Sequence, residues 1–130
     1  MTSNKRSILV VDDEPEMLKI LEYKFGQMEF EIFSALNVPE AIAILEKTPV
    51  RILLTDVNLP GTLGTELIDW LIVNRSEKER PFIFLMTGYI YTEDDASWEK
   101  NLLEKGVLKI FRKPFTLKDL TETILLLTDL

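Results

Sequence analysis

The sequence predicts a doubly wound α/β domain, a (βα)5 chain whose parallel five-stranded sheet lies between two layers of helices. Three observations carry that expectation. Five short apolar or β-branched runs alternate with stretches whose apolar residues recur at helical spacing. The central run, Ile52-Leu53-Leu54-Thr55, is continuous rather than alternating, as in a strand buried on both faces of a parallel sheet. Four of the five runs stop at a polar or charged residue, namely Asp12, Asp56, Thr87 and Lys113, and ligands of such sheets gather at the carboxyl ends of the strands.

Taken in order, Ser7 to Val11 is the first strand, stopping at Asp12-Asp13-Glu14. Pro15 suits the first turn of a helix, where its missing N–H has no intrahelical acceptor to lose. Leu18, Leu21, Phe25 and Met28 then fall on one helical face. Glu29 to Ala35 is expected as the second strand, with Phe30, Ile32 and Ser34 on one side. Asn37 is placed to cap a second helix whose inward residues are Ala41, Ile42 and Leu45. Pro49 precedes the central strand ending at Asp56. Asn58 to Thr65, with Pro60, Gly61 and Gly64, reads as a loop, and a third helix follows with Leu67, Ile68, Leu71 and Ile72 as its stripe.

Phe82 to Met86 forms the fourth strand and runs into Thr87-Gly88. Tyr89 to Lys105 is expected to hold a fourth helix, closed by Gly106. Val107 to Phe111 is the fifth strand, followed by Lys113-Pro114. Thr116, with Asp119 three residues on, opens a last helix along Leu117, Leu120, Ile124 and Leu127. Right-handed crossovers between such units give the flavodoxin-like strand order 2-1-3-4-5. No repeat, low-complexity tract or linker interrupts the pattern, so residues 1–130 are read as a single domain without an output module.

Composition narrows the chemistry. The chain has 130 residues, 46% hydrophobic and 28% charged, enough for one ordinary core. It contains no Cys and no His, which removes thiolate chemistry, Cys-based zinc sites and the commonest general base. Carboxylates, hydroxyls, Lys and backbone remain, and a hard cation such as Mg2+ is the metal they suit. A formal net charge of −7 disfavours direct nucleic-acid binding and anionic membrane surfaces. The apolar runs are too short for membrane insertion, and the few apolar residues before Asp12 make no signal peptide. A cytoplasmic location is the expectation.

Parallel strands would bring Asp12, Asp13, Asp56, Thr87 and Lys113 to one sheet edge. Carboxylates packed together raise one another's pKa unless a cation intervenes. Mg2+ takes one or two carboxylates and can accept a phosphate oxygen as well, and a carboxylate is a known phosphoryl acceptor. Lys113 could neutralise a second phosphoryl oxygen and the Thr87 hydroxyl could donate to a third. Each residue alone has an ordinary reading: helix-entry charge for Asp12-Asp13-Glu14, turn residues for Asp56 and Thr87, and a solvated cation for Lys113. Their joint occurrence at the ends of four strands is what favours a site.

At this point the chain resembles the response-regulator receiver domains of two-component signalling. Val10-Val11-Asp12-Asp13-Glu14 resembles the family's acidic pair. Asp56-Val57-Asn58-Leu59-Pro60 with Gly64-Thr65-Glu66-Leu67 resembles its phosphoacceptor loop. Met86-Thr87-Gly88-Tyr89 and Lys113-Pro114-Phe115 resemble its switch hydroxyl and lysine motifs. The resemblance spans essentially the whole chain. It implies that Asp56 accepts a phosphoryl group from a sensor histidine kinase or histidine phosphotransfer protein. It further implies Mg2+ ligated by Asp13, Asp56 and the Asn58 backbone carbonyl, with Asp12 acting through water. Lys113 would pair with Asp56 and then with the phosphate, while Thr87 moves toward the phosphoryl group. The chain would be a signalling phosphoacceptor rather than an enzyme, switching a surface that addresses a downstream output protein or domain, or a second copy.

Two features depart from that pattern. Ile110 stands three residues before Lys113, where the family usually has an aromatic residue, and Phe111 is next to it. Thr87 and Lys113 lie 26 positions apart, longer than the usual spacing by about one helical turn. The surplus is expected between Tyr89 and Trp98, and Tyr89, Tyr91 and Trp98 read either as a partner surface or as packing of the longer segment. Leu125 and Leu126 suggest a dimer face, a junction to an output module, or edge packing.

Other classes fit less well. A haloacid-dehalogenase-type phosphatase usually has an acid two residues beyond its nucleophile, and here that residue is Asn58. A flavin-binding module needs a phosphate-cradling loop after the first strand, where Asp12-Asp13-Glu14 would repel the phosphate. A phosphorylation-independent pseudo-receiver acting as a binding module is the remaining alternative, and Ile110 is the residue that favours it.

Overall fold

Successive side chains of a strand leave opposite faces of its sheet, and here helices cover both faces. The computed structural model describes residues 6–88 and 95–130. In chain order the elements are β1 (Ser7–Val11), α1 (Pro15–Gln27), β2 (Glu31–Ala35), α2 (Val38–Lys47), β3 (Ile52–Asp56), α3 (Thr65–Asn74), β4 (Phe82–Thr87), α4 (Asp95–Glu104), β5 (Val107–Arg112) and α5 (Leu117–Thr128). All strand pairs are parallel, in the expected order β2-β1-β3-β4-β5.

Two buried clusters follow from the alternation. On one face Ile8, Val10, Ile52, Leu54, Phe84, Met86 and Phe111 pack with Leu18, Leu21 and Phe25 of α1 and Leu120 and Ile124 of α5. On the other, Leu9, Val11, Leu53, Leu85 and Ile110 pack with residues of α2 and α3 and with Leu102 of α4. Every residue of β1 and β3 is buried. Burying a Val, Leu, Ile or Phe side chain contributes roughly 1.5–3 kcal/mol, so these central strands anchor the edge on which the site forms. No helix among the described residues is long and apolar enough to cross a membrane.

The ends of the helices explain where the structure departs from the periodicity. α1 closes with two bonds: the Glu29 N–H donates to Gly26 O at 3.1 Å and the Phe30 N–H to Phe25 O at 3.0 Å. This is the Schellman arrangement, with its accompanying apolar contact supplied by the Phe25 and Phe30 rings, edge to face at 5.2 Å. Glu29 therefore sits in the left-handed region at φ 64°, and β2 begins at Glu31 rather than at Glu29. The expected cap of α2 is present, with Asn37 Oδ1 accepting from the Glu40 N–H at 2.9 Å. Thr116 Oγ1 caps α5 by accepting from the Asp119 N–H at 3.0 Å.

Two of the apolar stripes are narrower than expected. Ile72 of α3 and Leu127 of α5 are exposed. Thr121 and Thr128 take the interior positions on α5 instead, each hydroxyl donating to a carbonyl four residues back, Leu117 O at 2.8 Å and Ile124 O at 2.7 Å. Leu125 is half-buried against the α1/α5 cluster, whereas Leu126 is exposed. β5 runs one residue further than expected, to Arg112. A short 3-10 turn at Glu77–Glu79, capped by Ser76, was not expected from the sequence. Within the fourth helical region Trp98 packs against the α2/α3 cluster, and Tyr89 and Tyr91 lie outside the described residues.

Candidate functional site

The strand order reverses around β1 and β3, and a crevice forms outside the carboxyl ends of strands at such a point. Asp12 immediately follows β1 and Asp56 is the last residue of β3. Backbone bonds tie this edge together: Asp12 N–H to Ala35 O at 3.1 Å, Val57 N–H to Met86 O at 2.9 Å, and Lys113 N–H to Thr87 O at 2.8 Å. The last of these links brings the residue after β5 beside the end of β4.

Four predicted residues meet here. The Lys113 ammonium donates to Asp56 Oδ2 at 2.7 Å and to Asp12 Oδ2 at 3.1 Å. Asp56 Oδ1 accepts from the Asn58 N–H at 2.9 Å, and Asp12 Oδ1 from the Glu14 N–H at 2.9 Å. One carboxylate oxygen from each of Asp12, Asp13 and Asp56 lies within 4.8 Å of the other two. Asp12 and Asp56 are buried while Asp13 is exposed, so the cluster opens to solvent on the Asp13 side. Thr87 is fully buried at the end of β4. Asn58 is exposed, and it reaches the site through its backbone N–H, which donates to Asp56 Oδ1.

Electrostatics follow from this packing. Burial pushes the Asp12 carboxyl above its usual value, outweighing the Glu14 N–H and the Lys113 ammonium, which pull it down. Burial pulls Lys113 down, yet its hydrogen bond to Asp56 and the charges of Asp56 and Asp12 carry it above its usual value. The clustered carboxylates of Asp12, Asp13 and Asp56, with Lys113 as the one ammonium among them, leave an excess of negative charge. A hard divalent cation with oxygen ligands fits that donor set, and nitrogen or sulfur ligands are absent from it.

Two residues that stand in the sequence motifs without a role of their own also contribute. Glu14 Oε1 lies 3.7 Å from Lys113 Nζ, adding a third carboxylate to the lysine's surroundings. Gly64 is required by contact rather than by φ: an added Cβ would collide with the backbone carbonyl of Asp56 and reach 3.0 Å from Thr55 Oγ1. Its N–H donates to Val57 O at 2.8 Å, holding the loop over the strand end. A glycine eight residues beyond the strand-end Asp was the available signal, but closeness to a particular carbonyl is not written in local pattern. Gly88 is different, since an added Cβ there meets nothing within 4 Å among the described residues.

Comparison with known proteins bears on this geometry. A model of the response regulator receiver domain family matches residues 8–125. Response regulator protein PilR of Pseudomonas aeruginosa is 29% identical over 121 residues, covering 93% of this chain and 26% of that protein. The chain thus spans about a quarter of the length of that curated relative. Among solved structures, a CheY-like response regulator receiver domain protein from Methanospirillum hungatei matches with a TM-score of 0.81 at 25% identity, covering 95% of this chain and 94% of that one. The signal receiver domain of a Luxo repressor protein from Vibrio parahaemolyticus matches with a TM-score of 0.82 at 21% identity, covering 95% and 90%, and this likeness speaks to the fold.

Proposed function

The chain belongs to the response regulator receiver domain family, and from that premise we propose that Asp56 is its phosphoacceptor. Receiver domains are signalling modules of two-component systems, not classical enzymes, and they bind Mg2+ at an acidic pocket. The observation that carries the reading is the 2.7 Å bond from Lys113 to Asp56 within a cluster of three carboxylates.

In this proposal an Asp56 carboxylate oxygen attacks the phosphorus of a phosphohistidine on a sensor histidine kinase or histidine phosphotransfer protein. A P–O bond forms and the P–N bond breaks. The leaving imidazole keeps the electron pair and takes its proton from solvent. The Asn58 N–H and Lys113 hold the two carboxylate oxygens before attack, which limits rotation of the nucleophile. Lys113 then follows the charge onto the phosphoryl oxygens, and the Thr87 hydroxyl donates to another.

Asp12, Asp13, Asp56 and the Asn58 backbone carbonyl would hold Mg2+, which when bound offsets charge on the transferring group. Transfer to Asp56 adds negative charge to a buried strand end and biases a two-state fold toward a different surface. We read residues 1–130 as one receiver domain working in the cytoplasm and addressing a downstream output protein or domain.

Intact mass after incubation with acetyl phosphate and Mg2+ tests the assignment. One phosphoryl adduct that needs Mg2+ and is absent from Asp56→Asn is the expected result. An adduct that persists in Asp56→Asn places the acceptor elsewhere and overturns it.

A further inference from the structure

At the opposite edge of the sheet from Asp56, positive charge gathers around a cleft that the phosphoryl transfer does not use. The cleft is about 590 Å3 and lies between the α2–β3 connection and the segment running from the end of α3 into β4. Arg51, on its rim, precedes Asp56 by five residues, about 17 Å along an extended strand. Lys47, Arg51, Arg75, Lys78 and Arg80 line it, against the carboxylates of Glu46, Glu77 and Glu79. Five cations against three carboxylates make the lining net positive by two, in a chain whose formal charge is −7.

The arrangement differs from an ordinary solvated face in how the charges are held. No ion pair among the described residues engages any of these five cations. Neutral carbonyls fix two of them instead. The Arg75 guanidinium donates to Asn74 O at 2.9 Å and to Leu45 O at 3.4 Å, and lies 5.0 Å over the Trp70 ring. Arg80 Nε donates to Arg75 O at 3.1 Å. These bonds orient the guanidinium groups, and the Arg75 charge is felt by Glu79 without the two closing into an ion pair. Glu79, by contrast, is turned back on Ser76, its Oε1 accepting from the Ser76 N–H at 3.0 Å and hydroxyl at 2.8 Å.

Beneath the charges the wall is apolar. Leu45, Val50 and Leu71 are buried behind it, and Phe82 stands at the sill with the Arg51 guanidinium 6.0 Å over its ring. We propose that this cleft binds a small organic polyanion, a phosphorylated molecule of nucleotide size with a ring or apolar body, independently of the chemistry at Asp56. The volume falls in the roughly 300–1,000 Å3 range of small-molecule sites. Guanidinium groups held by carbonyls are preorganised for phosphate oxygens, and the Phe82–Arg51 pair offers a stacking platform.

The test is isothermal titration calorimetry of the full chain in EDTA, with ADP and separately with pyrophosphate. Saturable one-to-one binding of ADP is expected, weakened at least about tenfold in the Arg51→Glu/Lys78→Glu double variant. Among the described residues neither side chain donates to a backbone carbonyl, and Arg51→Gln serves if charge reversal unfolds the chain. Asp56→Asn should leave ADP binding unchanged, and acetyl phosphate labelling of the double variant should persist, so this proposal and the phosphoacceptor reading fail separately. No saturable heat up to about 10 mM, binding indifferent to both cleft variants, or binding lost in Asp56→Asn overturns the site. Pyrophosphate binding as tight as ADP overturns the organic ligand class.

Discussion

Lys113 and Asp56, 57 positions apart in the chain, meet at 2.7 Å through Nζ and Oδ2. The same ammonium reaches Asp12 Oδ2 at 3.1 Å, and its side chain keeps 19% exposure. One cation thus holds two buried carboxylates that would otherwise repel each other.

Replacing Lys113 with Met should therefore destabilise the Mg2+-free protein. Removing one partner of a fully buried pair leaves an uncompensated charge and costs roughly 3–5 kcal/mol, and solvent screening at the partly exposed Lys113 lowers the loss to about 2 kcal/mol. Urea unfolding in EDTA measures it. Added Mg2+ should recover part of the loss, because a metal among the carboxylates replaces the missing cation.

Asp12→Asn should act in the opposite direction. Burial raises the Asp12 carboxyl above its usual 3.8, so the folded chain binds that proton more tightly than the unfolded chain does. The ionised group is then unfavourable at neutral pH, and its unfavourable contribution fades as pH falls through the folded value. The variant should gain roughly 3–6 °C in Tm at pH 7 in EDTA, about 1 kcal/mol. That advantage should shrink on acidification in the window above 3.8, and Mg2+ should stabilise the variant less than the wild type. An advantage independent of pH between 7 and 4 would show that the charge of Asp12 is not its source.

The Lys113 shift has the reverse sign. Raised above its usual 10.5 by Asp56 and Asp12 against the pull of burial, it contributes stability that is fully present below that value. The contribution is lost as pH rises through the folded value. Thermal unfolding between pH 9 and 12 should show a loss in the wild type that Lys113→Met lacks.

Gly64→Ala introduces a Cβ against the Asp56 carbonyl. Overpacking of this kind costs about 1–3 kcal/mol, and the displacement falls on the backbone of the proposed acceptor. Both a lower urea midpoint and slower acetyl phosphate labelling are expected. Gly88→Ala, where the added Cβ meets nothing within 4 Å among the described residues, should not lower the midpoint, because alanine also has less chain freedom to lose on folding.

Glu29→Gly should stabilise the chain. Glu29 occupies the left-handed position of the α1 Schellman ending at φ 64°, where a side chain costs roughly 1 kcal/mol that glycine avoids. The greater freedom of glycine in the unfolded chain offsets part of this. A net gain of about 0.5 kcal/mol in urea unfolding is expected.

Most of the strand and helix order was legible because burial imposes periodicity, and periodicity is a local property. Leu18, Leu21 and Phe25 fall inside as their spacing requires. Ile72 and Leu127 share that spacing and are exposed, since whether a stripe residue is covered depends on what packs opposite. On α5 two threonines satisfy their hydroxyls on their own helix and occupy interior positions, which hydropathy alone does not suggest. The boundary of β2 moved because the Glu29 turn is decided by backbone bonds to Phe25 and Gly26. Phe111 does not stand in for an aromatic at position 110. It is buried on the α1/α5 face against Phe84 and Phe115, while Ile110 faces the α2/α3 side.

Strand polarity alone assigns Asp12, Asp56, Thr87 and Lys113 to one edge, because parallel strands all present their carboxyl ends on the same side. How they divide the work available there depends on the packed fold. It buried Asp12 and left Asp13 exposed, joined Lys113 to two carboxylates at once, and pressed Gly64 onto the Asp56 carbonyl. The difference is one of range. Strand polarity is a property of a few consecutive residues, whereas desolvation and ångström-scale approach are set by segments that meet only after the chain has crossed the sheet.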